Sequence, residues 1–176
     1  TAMSEVLAVI SRSPNDVQPV LNAIMAISTR LCEADRGQVY TKRDGLFHLA
    51  ASDTRTPADI LQHLSANPFA SGRTTARARA ALERATIHVP DITTDPDFDR
   101  TTILYRSGGS RLSVPLLRDG EAIGVITMAR HTARPFTDRH IGLVTTFASQ
   151  AVIAIENARL FEAEQTRTKE LQESLE

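Results

Sequence analysis

The sequence has a single cysteine, Cys32, among its 176 residues. One thiol cannot form a disulfide within the chain, and it cannot build a cysteine-rich zinc site or a dithiol redox motif. We therefore expect a reducing, cytoplasmic compartment. Cys32 falls beside the apolar side of a predicted helix, so we interpret it as a small core residue rather than a reactive thiol.

An excess of charge of either sign is also missing, since 20 Lys and Arg residues face 21 Asp and Glu residues. A nucleic-acid-binding surface usually brings a strong basic excess, so we expect no nucleic-acid partner. No run approaches the roughly 18 consecutive apolar residues of a membrane-spanning helix, so we expect no membrane contact. The chain begins with neither a methionine nor a secretory leader, so we expect a piece of a longer protein without a secretory signal.

The residues capable of catalysis or metal binding are not spaced along the sequence in the pattern of any known site. No two of the five histidines stand three or four residues apart, which excludes a helical metal pair. The aspartates of residues 95–99 imitate a calcium loop, but Arg100 and Arg106 stand where that loop needs Gly and Glu. No nucleophile, base and orienting group can be assembled, so we expect no catalytic residue and no metal site. Any cofactor stays unknown.

What is present is a clear series of helix and strand signals. Asp16 is placed to cap a helix that runs to about Ala34, and a long helix follows Thr137. Two Asp-Gly pairs, at 44–45 and 119–120, are turns that close β-hairpins. Helices at both ends with an antiparallel sheet between them indicate an α+β fold. The predicted strands are 38–43, 46–51, 86–89, 111–118 and 121–130, with short helices near 57–64 and 74–84 and a helical turn at 101–106.

The short helix near 74–84 is rich in arginine. Its arginines could steer an anionic ligand to a pocket, or they could form a solvated face, which is the interpretation we favour. The arginines are Arg73, Arg77, Arg79 and Arg84, and the residues expected to turn inward are Ala76, Ala80, Ala81 and Leu82.

Four stretches follow one another in an order that is typical of one domain family. They are LCEADRG at 31–37, IHVPDI at 87–92, RLSVPLLRDGEAIGVI at 111–126, and RPFTD at 134–138 with FASQAVIAIENARL at 147–160. Together they resemble the GAF domain, a small-molecule-sensing module of bacterial signalling proteins. The resemblance covers about residues 16–160.

The resemblance implies a central antiparallel sheet with terminal helices on one face and a ligand-pocket segment on the other. It divides the chain into an N-terminal linker helix (1–13), a GAF-like sensor domain (14–160) and a C-terminal signalling linker helix (161–176). It also implies a regulatory domain that relays signals through its terminal helices to an attached histidine kinase or nucleotide cyclase.

Two other functions are compatible with the resemblance. One is a ligand-free structural dimerisation module. The other is a GAF-fold enzyme, such as those that reduce free methionine sulfoxide with several cysteines, whereas this chain has one. We expect the chain itself not to be an enzyme.

A pocket is expected between the sheet and residues 53–109, because this stretch carries spaced aromatic residues among irregular elements. The candidate ligand-binding residues are Phe69, Phe98 and Tyr105, with Tyr40 from the first hairpin. The Asn-Lys-Phe-Asp-Glu signature of cyclic-nucleotide-binding members is missing, which argues against that ligand and leaves the small molecule unidentified.

A stripe of small and apolar residues along the terminal helices predicts a homodimer about a twofold axis. The candidate interface residues are Leu7, Ile10, Ala151, Ile155 and Ala158. Part of this stripe is expected to cover the domain's own sheet.

Overall fold

The computed structural model describes residues 4–5 and 16–175. Its first complete helix, α1 (Val17–Leu31), begins where the sequence predicted. The Asp16 carboxylate accepts a hydrogen bond from the Gln18 amide at 3.0 Å, which satisfies one of the free donors at the helix start. The predicted N-terminal linker helix, with Leu7 and Ile10, lies outside the described residues apart from Ser4 and Glu5.

Five strands form one antiparallel sheet in the order β2-β1-β5-β4-β3. Both predicted hairpins are confirmed. Asp44 and Gly45 have φ angles of 55° and 81°, and Asp119 and Gly120 have 52° and 79°, as two-residue turns between twisted strands require. The strands are β1 (Arg36–Arg43), β2 (Leu46–Ser52), β3 (Ile87–Val89), β4 (Ser110–Arg118) and β5 (Glu121–Arg130).

The main apolar core lies between one face of the sheet and two helices, α1 and the last helix of the chain, which spans Asp138–Leu175. Along β4, Leu112, Val114 and Leu116 alternate toward this face, as a half-apolar strand requires. The helices contribute further buried residues, among them Ile24, Met25, Val144, Phe147 and Ala151.

The opposite face is covered by shorter elements from the middle of the chain. They are α2 (Ala58–Ala66), α3 (Ala76–Glu83), and two 3-10 turns at Ile92–Thr94 and Ile103–Tyr105. The helix of residues 138–175 is accordingly α4. The predicted α+β architecture, with terminal helices on one face and the pocket segment on the other, is confirmed.

Helix α4 extends well past the sheet. Its residues after Ala158 are exposed, except for the half-buried Phe161. An 18-residue window of α4 has a mean hydropathy of 1.3, so by length and composition alone the helix could cross a membrane. One such helix is weak evidence, because core helices of soluble proteins meet the same test and α4 buries Val144 and Phe147 in the core.

Candidate ligand-binding site

A cavity lies between the sheet and the segment that covers its second face, where the sequence predicted a pocket. Its volume is about 20 Å³, roughly the space of one ordered water molecule. From the sheet it is lined by Arg36, Gln38, Tyr40, Arg111, Thr127 and Ala129; from the covering segment it is lined by Leu64, Thr75, Ala76, Arg77, Phe98 and Leu104.

The strand register explains the charged floor of this cavity. Ala129 of β5 pairs with Arg36 of β1 on one side and with Arg111 of β4 on the other. Residues in one row across a sheet share a face, so both arginines lie on the cavity face with their Cα atoms about 10 Å apart. The small side chain of Ala129 leaves the space between them open.

The roof of the cavity is the first turn of α3. Thr75 caps this helix by accepting a hydrogen bond from the Ala78 amide at 3.2 Å. Arg77 follows and is 8% exposed. Its Nη1 donates to the Tyr40 hydroxyl at 2.7 Å, and its guanidinium lies 4.5 Å from the ring centre of Phe69. The Nε of Arg77 is buried and has no hydrogen-bond partner.

The two arginines of the floor differ in how they are held. Arg111 is fixed by the chain, because its guanidinium donates to the carbonyl groups of Leu104, Gly108 and Ser110 and to the Ser107 hydroxyl. Arg36 is 4% exposed, and its side chain has no hydrogen bond or ion pair with another described residue.

No acidic residue is among those that line the cavity. Burial lowers the pKa of Arg36; Tyr40 opposes this effect, and the neighbouring charge of Arg77 adds to it. Burial, together with the charge of Arg36, lowers the pKa of Arg111 to about 9. A guanidinium with that pKa is still charged at neutral pH, so the cavity concentrates positive charge without a built-in counter-ion.

The family model of the GAF domain matches residues 16–155. The chain belongs to the GAF domain family. No curated protein sequence is similar enough to count as a match.

Solved structures of this fold are similar to the chain over nearly its whole length. A GAF domain/HD domain protein from Geobacter sulfurreducens is 22% identical with a TM-score of 0.74, covering 84% of this chain and 97% of that one. The GAF-B domain of DevS from Mycobacterium smegmatis is 21% identical with a TM-score of 0.62, covering 86% and 99%. Free methionine-R-sulfoxide reductase from Neisseria meningitidis, solved with its substrate, is 19% identical with a TM-score of 0.72, covering 90% and 89%. At these identities the likeness shows the fold alone.

The structure brings the four predicted aromatic residues of the GAF domain to the cavity or next to it. Tyr40 and Phe98 line it. The ring centre of Phe69 lies 5.0 Å from that of Tyr40, and Tyr105 lies 6.2 Å from Phe98. Their role in ligand binding stays a prediction.

The interpretation of the arginines near α3 as a solvated face is wrong for two of the four. Arg77 points into the cavity, and Arg79 forms a buried ion pair with Asp95 at 2.9 Å. Leu82, expected to turn inward, is 47% exposed. The reason is that α3 lies against the sheet with its arginine-bearing side. Arg73 and Arg84 are on the surface as expected.

Sequence reasoning missed the polar floor of the cavity, above all Arg36 and Arg111. A signal was available, because Arg111 and Ser113 alternate with Leu112 and Val114 along β4. Such a strand normally turns its polar side to solvent, but here α3 covers that side and buries both residues.

Cys32 is a fully buried core residue, as predicted. Burial raises the pKa of its thiol from 9.0 to about 11, with a smaller opposing effect from Arg130. Among the described residues, no group of three His, Cys, Asp or Glu side chains could hold a metal ion.

Proposed function

We propose that this GAF domain is a regulatory sensor that binds a small molecule in the cavity between the sheet and α3. Binding is relayed through the terminal helices to an output domain outside this chain, a histidine kinase or a nucleotide cyclase, in a cytoplasmic protein. The observation that carries the proposal is a buried cavity with charged side chains and no counter-ion of its own. Binding pockets combine apolar walls with a few convergent polar groups in this way.

Strand β4 offers a path from the cavity to α4. Its residue Arg111 lines the cavity, and its alternate residues Leu112 and Val114 pack in the core that α4 shares. At the far end of β4, Arg118 forms an ion pair with Glu156 of α4 at 2.6 Å. A ligand that favours a shifted position of β4 would therefore change the population of positions of α4.

We further propose a homodimer through α4 and the N-terminal segment. Ala151 is fully buried within its own chain, and Ala158 is 8% exposed, so neither is available to a second copy. Ile155 is half-buried. The exposed apolar residues Ile153 and Leu160, at 48% and 55%, replace the two alanines in the proposed interface.

The dimer is tested by analytical ultracentrifugation at micromolar concentration. Leu160→Glu should give monomers, whereas Gln165→Glu adds the same charge at another exposed position of α4 and should leave the dimer intact. A wild-type protein that stays monomeric at high concentration would contradict the dimer.

Sensing is tested by a thermal-shift screen of metabolites followed by hydrogen exchange with the best ligand. We expect protection at residues 74–111 together with a changed exchange rate in α4. Protection confined to the cavity would contradict the relay. Failure of every compound to bind would favour the alternative, a ligand-free structural dimerisation module.

A further inference from the structure

We infer that the ligand of this cavity is a short-chain organic carboxylate, held by the guanidinium groups of Arg36 and Arg77 beside that of Arg111. The inference rests on the proposed sensing function, because it names the chemical class that the same site would bind.

The first argument is uncompensated charge. Arg36, Arg77 and Arg111 are 4%, 8% and 5% exposed, and no carboxylate lies among the residues that enclose them. The other buried arginine of α3, Arg79, has its own partner in Asp95. Buried cations are normally paired, because removing an isolated charge from water is costly. An anion in the cavity would supply the missing partner.

The second argument is the supply of free donors. Arg111 already donates to backbone carbonyl groups, so it contributes its charge more than new hydrogen bonds. The side chain of Arg36 has no hydrogen-bond partner among the described residues, and the buried Nε of Arg77 has none either. The planar fork of a guanidinium matches the two oxygens of a carboxylate.

The start of α3 favours the same sign of charge. Ala76 and Arg77, both on the cavity wall, stand in the first turn of this helix. Amides of a first turn have no acceptor within the helix, and the positive end of the helix dipole lies there. Both effects favour a negative group next to the guanidinium of Arg77.

The apolar part of the wall distinguishes an organic carboxylate from inorganic phosphate. Tyr40 and Phe98 lie on the wall with Leu64, Leu104 and Ala129. Inorganic phosphate has no carbon skeleton to contact these side chains, whereas a short aliphatic acid has one. Because Arg36 and Arg111 stand on opposite sides of Ala129, we expect a dicarboxylate to bind more tightly than a monocarboxylate.

The cavity is so small that ligand entry requires a change in its shape. At about 20 Å³ it is too small for any ligand larger than about one water molecule. We therefore expect side chains of the cavity wall to move outward as a carboxylate enters. The same movement would separate Arg77 from the Tyr40 hydroxyl and report occupancy to the surrounding structure.

The test compares the thermal unfolding of the purified domain with succinate, acetate, succinamide and inorganic phosphate, all at constant ionic strength. Succinamide is the matched control, because it has nearly the shape of succinate without the charge. At ten times the dissociation constant we expect succinate to raise Tm by about 3–5 °C. We expect acetate to act more weakly, and succinamide and phosphate to have no effect.

Variants locate the site. Arg36→Gln and Arg77→Gln should each weaken succinate binding at least about tenfold in calorimetric titration. Arg73→Gln, which removes an exposed arginine near the start of α3, should leave the affinity unchanged.

A further variant separates binding from a structural role. Arg77→Met removes a buried charge that has no carboxylate partner, together with the hydrogen bond to Tyr40, so without ligand its Tm should fall less than that of Arg79→Met, which breaks a buried ion pair. If the role of Arg77 were only structural, this variant would lose as much stability as Arg79→Met and would keep the succinate response of whatever fraction stays folded.

The outcomes separate this inference from the sensing proposal. An equal response to succinamide, or a response to phosphate alone, would overturn the carboxylate assignment. If no carboxylate binds but an uncharged molecule does, the inference fails while sensing stands. If no compound binds at all, both fail.

Discussion

The two faces of the sheet are built from the same strands but carry opposite chemistry. On β4, Leu112 and Val114 face the helices α1 and α4, while Arg111 and Ser113 face α3. Both sets are buried, so the contrast is not one of exposure. The apolar face is closed by contacts that favour folding, whereas the polar face buries guanidinium groups around the cavity. A polar face that folding alone does not require indicates a functional surface.

The largest loss of stability is expected from a substitution that creates a cavity in the apolar core. Phe147 of α4 is 1% exposed in the main core, so Phe147→Ala should lower the free energy of unfolding by about 3–5 kcal/mol. Urea unfolding followed by circular dichroism measures this loss. Gln165→Ala, at an exposed position of the same helix outside the proposed interface, should change the value by about 0.5 kcal/mol or less. Equal losses for the two variants would contradict the assignment of the core.

A smaller loss is expected where a buried charge is paired on the polar side. Arg79 and Asp95 form an ion pair whose side chains are 11% and 10% exposed, and Arg79→Met should cost about 3 kcal/mol. The hydrogen bond from Arg79 lowers the pKa of Asp95 below its ordinary value, although burial opposes the shift. The stability from this pair is therefore present above about pH 4 and is lost as pH falls through the lowered pKa.

Urea titrations at pH 7 and at pH 3 measure that dependence. The difference between wild type and Arg79→Met should shrink at the lower pH. A difference that is independent of pH would show that the ionised state of Asp95 does not contribute. Arg77→Met should cost less than Arg79→Met when no ligand is bound, because Arg77 has no carboxylate partner. This contrast tests whether ion pairing distinguishes the two neighbouring arginines of α3.

The features that residue patterns alone predicted are the local ones, whereas the arrangement of helices and pocket segment on opposite faces of the sheet followed from the family resemblance. The two hairpins follow from Asp-Gly turns between alternating residues, and α1 follows from its cap at Asp16, because each signal is complete within a few residues. The polar floor depends on Arg36 and Arg111 meeting across Ala129, which a strand register between distant segments decides. Because charged residues are usually exposed, the sequence alone led us to place Arg77 on a solvated face, which is wrong.

A moderate effect is expected at the close contact between β5 and β1. A Cβ on Gly124 would lie 2.3 Å from the Tyr40 carbonyl oxygen and 2.7 Å from a methyl group of Leu116. Gly124→Ala should therefore cost about 1–3 kcal/mol and disturb the pairing of β5 with β1. Gly142→Ala is the matched control, because nothing lies within 4 Å of its Cβ position and alanine should stabilise α4 by about 0.5–1 kcal/mol. Urea unfolding should therefore give the two variants effects of opposite sign.

The smallest effect on stability at neutral pH is expected at Cys32, on the apolar face. Its thiol has a pKa of about 11, so at pH 8 the thiolate fraction should be about a hundredfold below that of a free thiol. Burial further slows labelling because it blocks the access of reagents to the sulfur. Thiol labelling of the native domain should be correspondingly slow and become fast in urea, whereas Cys introduced at the exposed position Thr166 should react at once.

Because the pKa of the Cys32 thiol is raised in the folded state, the wild type should lose stability between about pH 9 and 11 relative to Cys32→Ala. Rapid native labelling, or sulfoxide reduction that disappears in Cys32→Ala, would show that the apolar face also carries chemistry and would remove the contrast between the two faces.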